Sequence, residues 1–431
     1  MFQNWHRRSL EYQPPNEGPA KKRRTGRHPR LYKVENDIWG LVSEFAGTTE
    51  SNMLALSSAH MNNALSMNMA SQAVRHRNKI VVNDAPRLHQ WMESYPHVPF
   101  RVAHIDIQGW SQPCDGDKYS LRDMVDFLSS HRTLNTLELR RVDGDGGDDC
   151  DYYDRNGDVK RLARLGTSTT LHTLSLILED DSWNISDKGA KYLARLGKST
   201  TLHTLHLGLS GKFISSKGAQ HLTRLGASTK LHTLTLDLCD TDAGLDGGLA
   251  GLRESTTLRT LTLGLAKNNI NDDDAKHLAV LGTSTTLKTL TLNLCENDVG
   301  PDGAQALVKS LRESTTLHTL TLGLAKNRIG DGGAKALATL KTSRLNTLTL
   351  DLRENNIGPD GAQALAGLRQ STTLSTMTLG LADNSIGDGG AKALATLKTS
   401  TLNALTLDLR RNSVSPDGAQ ALAGLHWVRW V

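Results

Sequence analysis

One string, in near copies, fills most of this chain; its clearest version is LNTLTLDLRENNIGPDGAQAL, residues 345–365. Leu348, Leu350 and Leu352 alternate with polar residues, the period of a strand with one buried face. Asn355 and Ile357 follow. Gly358-Pro359-Asp360-Gly361 then breaks the strand and opens a short Ala/Leu-rich helix, with the proline in its first turn, where a missing N–H costs least. One strand, turn and helix cannot bury their apolar faces alone, but stacked copies can. The chain is thereby constrained to an α/β solenoid.

The leucines that open each strand are Leu134, Leu171, Leu202, Leu231, Leu258, Leu287, Leu317, Leu345, Leu374 and Leu402; after a first gap of 37 the spacing stays between 27 and 31. Val102–Ile107 reads as a first, atypical strand and 120–130 as its returning helix. A second period lies above the first. Units with Gly in the strand (TLGLAKNNI, TLGLAKNRI, TLGLADNSI) alternate with units carrying Asp or Asn there (TLNLCENDV, TLDLRENNI, TLDLRRNSV), so the paired unit is 57–59 residues. With helices reading GAKALA and GAQALA, this pattern resembles the ribonuclease-inhibitor-like class of leucine-rich repeats. It is also similar to the GALA-type F-box/leucine-rich-repeat proteins.

The resemblance implies a horseshoe with a parallel inner sheet and outer helices, about eleven repeats over residues 97–431. It also implies that Asn268, Asn297, Asn327, Asn355, Asn384 and Asn412, which recur in register, form a structural asparagine ladder. An amide there can satisfy backbone groups that the bend out of the strand leaves unpaired. The strand carries one Thr-Leu more than the family pattern LxxLxL, which predicts a longer alternation and a broader sheet.

Upstream the texture differs. Residues 1–35 hold nine Lys/Arg against three Glu, a local +6 within a net charge of +5. We read 1–30 as a disordered basic tail, whose Lys21-Lys22-Arg23-Arg24 run has the composition of a nuclear-import signal. Residues 31–96 read as a small helical N-terminal module. DIWGLVSEF places Ile38, Leu41, Val42 and Phe45 on one helical face, and MLALSSAH begins a second helix. This block resembles a degenerate F-box, without the leading Leu-Pro or the Cys-Arg pair. The resemblance implies a Skp-type adaptor of a cullin-type ubiquitin ligase as partner, held by Ile38, Leu41, Phe45, Leu54 and Leu56. Without an adaptor, the same helices serve as an N-terminal cap for the repeats.

If the strand leucines point inward, the alternate residues form columns on the concave face. Thr289, Thr319, Thr347 and Thr349 belong to threonine columns, Asn293, Asp351 and Asp408 to a column alternating with Gly, and Arg353 and Arg410 to a third. These are the candidate protein-binding residues. The paired threonine columns also resemble ice-binding solenoids, a further possible role beside that of a receptor- or inhibitor-type regulatory repeat protein without ligase function. His172, His203, His232 and His318 share one position with Arg259 and Lys288 and line one edge.

No Ser/His/Asp, Cys/His or paired-carboxylate arrangement stands out, so no enzyme, metal or cofactor is expected. The acidic stretch 143–158 mimics EF-hand offsets but has Asp148 where the glycine is required. No basic-aromatic stripe calls for nucleic acid. No apolar run reaches the ~20 residues of a membrane span. Four cysteines without zinc spacing fit a reducing compartment, cytoplasmic or nuclear. Trp427 and Trp430 near the end are read as a plug over the last repeat.

Overall fold

The computed structural model describes residues 79–82, 101–106, 121–140, 156–178, 185–211, 213–241, 248–397, 402–423 and 428–429. They lie within the unit Leu56–Val431. Ile38, Leu41, Phe45, Leu54, Leu56, the basic tail, most of the acidic stretch, and Trp427 and Trp430 lie outside the described residues.

The strands form one sheet in chain order. They are β1 (Lys79–Val82), β2 (Val102–Asp106), β3 (Thr136–Arg140), β4 (Thr173–Ile177), β5 (Thr204–Gly208), β6 (Thr233–Asp237) and β7 (Thr260–Gly264). The series continues with β8 (Thr289–Asn293), β9 (Thr319–Gly323), β10 (Thr347–Asp351), β11 (Thr376–Gly380), β12 (Ala404–Asp408) and β13 (Val428–Arg429). Each strand pairs in parallel with the next. The sheet opens earlier than the sequence reading places it, at KIVV rather than at Val102. A three-residue apolar run, Ile80–Val82, has no periodicity to distinguish strand from helix.

Most strands return through a short helix, such as Asp187–Leu193, Gly330–Leu337 or Pro359–Ala366, which runs on into a 3₁₀ turn. Leu348, Leu350 and Leu352 are fully buried beside Ile357 and Leu365, and the equivalent leucines of the other repeats join them in one continuous core. Burying such a side chain is worth about 1.5–3 kcal/mol, and each repeat finds that burial only against its neighbours. Beyond Asp351 the parallel pairing continues, with Leu352 N donating to Gly380 O at 2.7 Å and Glu354 N to Ala382 O at 3.1 Å.

Three polar systems tie neighbouring repeats together, the second of them at every other junction from Asp272 onward. The asparagines are the first: Asn355 Nδ2 donates to Leu324 O (2.7 Å) and Arg353 O (2.9 Å), while its Oδ1 accepts from Ile329 N (3.2 Å). The second is an aspartate opening one helix that caps the next. Asp331 Oδ1 accepts from Gly358 N at 2.7 Å and Gly361 N at 2.9 Å, a cap that Gly358 has no side chain to supply. Asp272 does the same for Gly300, and Asp187 and Asp388 for Ser215 and Ser415. The third is the Ser-Thr-Thr-Leu return. Ser371 Oγ accepts from Leu374 N at 3.2 Å, and Thr373 Oγ1 donates to Ser343 O of the previous repeat at 3.1 Å.

Candidate functional site on the exposed sheet face

Opposite the leucines, each strand presents its alternate residues outward; along β10 Thr347, Thr349 and Asp351 are half-buried between the buried Leu348 and Leu350. Register turns these into ranks. Thr289, Thr319 and Thr347 are direct neighbours across β8, β9 and β10, in a rank of threonines unbroken from Thr136 to Thr376. Thr349 belongs to the second rank, which runs from Thr235 to Thr406.

The third rank explains the two-repeat period. Asp237 Oδ1 accepts from Cys239 N at 3.1 Å, and the carboxylate leans over the following strand, where a Cβ on Gly264 would lie 2.5 Å from it. Asn293 stands in the same way over Gly323, and Asp351 over Gly380, at 3.0 and 3.2 Å. The polar strand needs a bare strand next to it. Asn293, Asp351 and Asp408 are therefore separated by glycines and do not form one patch.

The two arginines do not reach outward as free cations. Arg353 folds back on Asp351 in a two-pronged contact, Nε to Oδ1 at 2.7 Å and Nη2 to Oδ2 at 2.6 Å, and Arg410 does the same to Asp408 at 2.8 and 2.6 Å. Burial alone would raise the Asp408 carboxyl, but the Arg410 hydrogen bonds outweigh it and hold the group below its ordinary value. Arg353 is correspondingly pushed up, chiefly by its hydrogen bond to Asp351. Charge at this end of the sheet is neutralised within each strand.

At the other end the sequence reading overlooked a polar cluster in the second rank. His104, Glu138, Ser175 and His206 occupy successive strands ahead of Thr235. His104 Nδ1 lies 2.7 Å from Glu138 Oε2, and His206 Nδ1 lies 3.1 Å from Ser175 Oγ. Burial pushes His206 below its ordinary value; Asp237 and Glu138 pull the other way, and Arg140 adds to the fall. The signal was available, since each residue stands two positions after the first-rank residue of its strand.

Three of the four edge histidines come together, and His318 is separated from them by Arg259 and Lys288. His172 and His203 stack with centroids 5.2 Å apart and planes at 10°, and His203 and His232 at 5.4 Å and 5°. His203 Nδ1 is buried without a hydrogen-bond partner. Among the described residues no group of three or more His, Cys, Asp or Glu has metal-holding geometry. No described helix is long and apolar enough to cross a membrane. Burial pushes the Cys295 thiol up.

The six ladder asparagines are all buried. A seventh member was missed. Thr241 holds the place in β6's repeat, its Oγ1 donating to Leu238 O at 2.9 Å and to Asn268 Oδ1 at 2.7 Å.

Comparison with known proteins agrees with this architecture. The family described as Leucine Rich repeat matches residues 283–308, 315–338, 344–366, 373–395 and 405–423. No curated protein matches the chain. Among solved structures, an internalin from Listeria monocytogenes is 17% identical over 71% of this chain and 82% of its own, with a TM-score of 0.33. The Rad7 and Elc1 complex in yeast is 14% identical over 94% of this chain and 98% of that one, with a TM-score of 0.40. Likenesses this loose leave the fold to rest on the strands and ladders above. Leucine-rich repeats indicate a protein-binding scaffold and are typically non-enzymatic. The matched segments, the parallel strands and the inter-repeat asparagines together describe the fold of a leucine-rich-repeat solenoid.

Proposed function

We propose that the protein takes a protein partner on the concave, exposed face of its sheet and acts as an F-box-like substrate receptor of a cullin-type ubiquitin ligase, in the cytoplasm or nucleus. The observation that carries the binding reading is the pair of unbroken threonine ranks, with the arginines at their C-terminal end already matched by aspartates. Such a face offers hydroxyls and methyls at strand spacing and little net charge. It suits an extended, polar segment that gains affinity from many small contacts rather than from a few large anchors. The ligase half of the reading rests on DIWGLVSEF and MLALSSAH, with Ile38, Leu41, Phe45, Leu54 and Leu56 holding the Skp-type adaptor.

The two halves are tested separately. Pull-down of the full chain with a Skp adaptor should succeed and should fail when Ile38, Leu41 and Phe45 are changed to Asp; no adaptor with the unmodified chain removes the ligase role. Affinity capture with the full chain should recover a protein that is lost when Thr291 and Thr321 are changed to Arg. Capture unaffected by those two changes moves the partner off the sheet.

A further inference from the structure

The helix side of the array carries a feature unrelated to the sheet face. Between the 3₁₀ turn Ala194–Lys198 and the next one, Thr223–Ala227, lies a hollow of about 390 Å³ lined by Lys191, Ala194, Arg195, Gly197, Lys198, Arg224 and Ala227. Its floor is set by close packing of two repeats: a Cβ on Gly197 would lie 3.1 Å from Leu225 Cα. Four exposed cations surround it, and none of Lys191, Arg195, Lys198 and Arg224 has an ion pair among the described residues.

Cations outnumber carboxylates among the described residues of this region. Between residues 156 and 230 the described residues include ten Lys/Arg and two carboxylates, Asp158 and Asp187. Asp158 is bonded to Arg161, and Asp187 is occupied in capping Ser215. Basic residues at helix ends ordinarily balance the helix dipole. In three later repeats an acid stands by the cation, with Arg253 beside Glu254, Lys276 on Asp273 and Arg312 beside Glu313. Around the hollow the cations accumulate instead.

Two further observations mark the place. The Arg195 guanidinium lies 5.0 Å from the Tyr192 ring centroid, with Lys160 of the preceding repeat 5.9 Å from the same ring, so Arg195 is held in position before any ligand arrives. His221, within reach of Arg224 and Lys191, is held below its ordinary value, first by burial and then by those two cations.

We propose that this hollow binds a phosphorylated segment of a protein partner, Arg195 and Arg224 gripping the phosphoryl group and Lys191 and Lys198 adding charge. A dianion with several acceptor oxygens fits convergent guanidinium and ammonium donors around one cavity. A nucleic acid would call for a longer track of cations with open aromatic faces, whereas the ring here, Tyr192, is already covered by Arg195 and Lys160.

The test uses the full chain and a fluorescent peptide bearing adjacent phosphoserines, read by anisotropy. The phosphopeptide should bind and its unphosphorylated twin should not. Changing Arg195 and Arg224 to Glu should weaken binding by about tenfold or more with the melting temperature unchanged. Because the N-terminal tail is also basic, a variant with Lys21, Lys22, Arg23 and Arg24 changed to Ala should keep the binding that R195E/R224E loses. The proposal is overturned if the unphosphorylated twin binds equally, if only the tail variant loses affinity, or if duplex DNA binds as tightly through Arg195 and Arg224.

Discussion

Asp237 covers Gly264: the aspartate Oδ1 occupies the space that a side chain on the glycine would enter, 2.5 Å from its Cβ position. Gly264→Ala should therefore destabilise the array by about 1–3 kcal/mol, the usual cost of overfilling a packed site. Adding Asp237→Gly should recover most of the loss. Urea unfolding midpoints of the two single variants and the double variant check this, and simple additivity would show that the two residues do not interact.

Removal of Asn355, fully buried, leaves the Ile329 N–H and the Leu324 and Arg353 carbonyls without the partners described above. Asn355→Ala should cost about 3 kcal/mol, since each unsatisfied buried group costs roughly 1–3. Hydrogen exchange should quicken first at the Ile329 amide, one repeat upstream of the substitution.

His206 ties stability to pH near neutrality. Its folded value is lowered, chiefly by burial, so in the window below its ordinary value the unfolded chain holds the proton and the folded chain does not. Stability should fall as pH drops from about 7 through 6. His206→Thr, which extends the second threonine rank, should flatten that slope in a thermal-denaturation series. An unchanged slope would place the titration elsewhere.

Asp388 acts at lower pH and with the opposite charge logic. Ser415 donates both its hydroxyl and its backbone N–H to the carboxylate, which lowers its folded value below the ordinary one. The contribution is present above the ordinary carboxylate range and is lost as pH falls through the lowered folded value. Ser415→Ala should reduce the acid sensitivity of the last repeat, measured by exchange at the Ala419 amide.

Arg353 and Asp351 share one strand and a two-pronged contact, yet both are partly open to solvent. Arg353→Gln should change stability by less than about 1 kcal/mol. Its effect should appear in binding, because it uncovers an unmatched carboxylate on the sheet face. A partner whose affinity is indifferent to both Arg353→Gln and Arg410→Gln does not lie across these strands.

Much of the fold is legible in the chain because strand leucines and ladder asparagines report their own environment through spacing alone. Lys79–Val82 escaped because its three apolar residues carry no period. Thr241 escaped because a hydroxyl does the work of an amide there, although CDTD against CEND places it in the same register. The alternation of Gly with Asp or Asn was visible without its cause. Only the pairing of Asp237 opposite Gly264 turns a recurring letter into a steric fit. The basic hollow was hidden for a different reason. Cations at helix ends look the same in sequence whether a carboxylate answers them or not.

The fit of an acidic or amide side chain over a bare neighbour also bears on how such an array can grow. Within the alternating strands, from Gly208 to Asp408, duplicating one repeat would set two side-chain-bearing strands, or two bare ones, side by side, and the odd copy would be crowded or underfilled. Duplicating a pair reproduces a junction already present. Lengthening in steps of 57–59 residues is thus the mode of expansion the geometry tolerates, and the near-identity of TLDLRENNI and TLDLRRNSV is what such a step leaves behind.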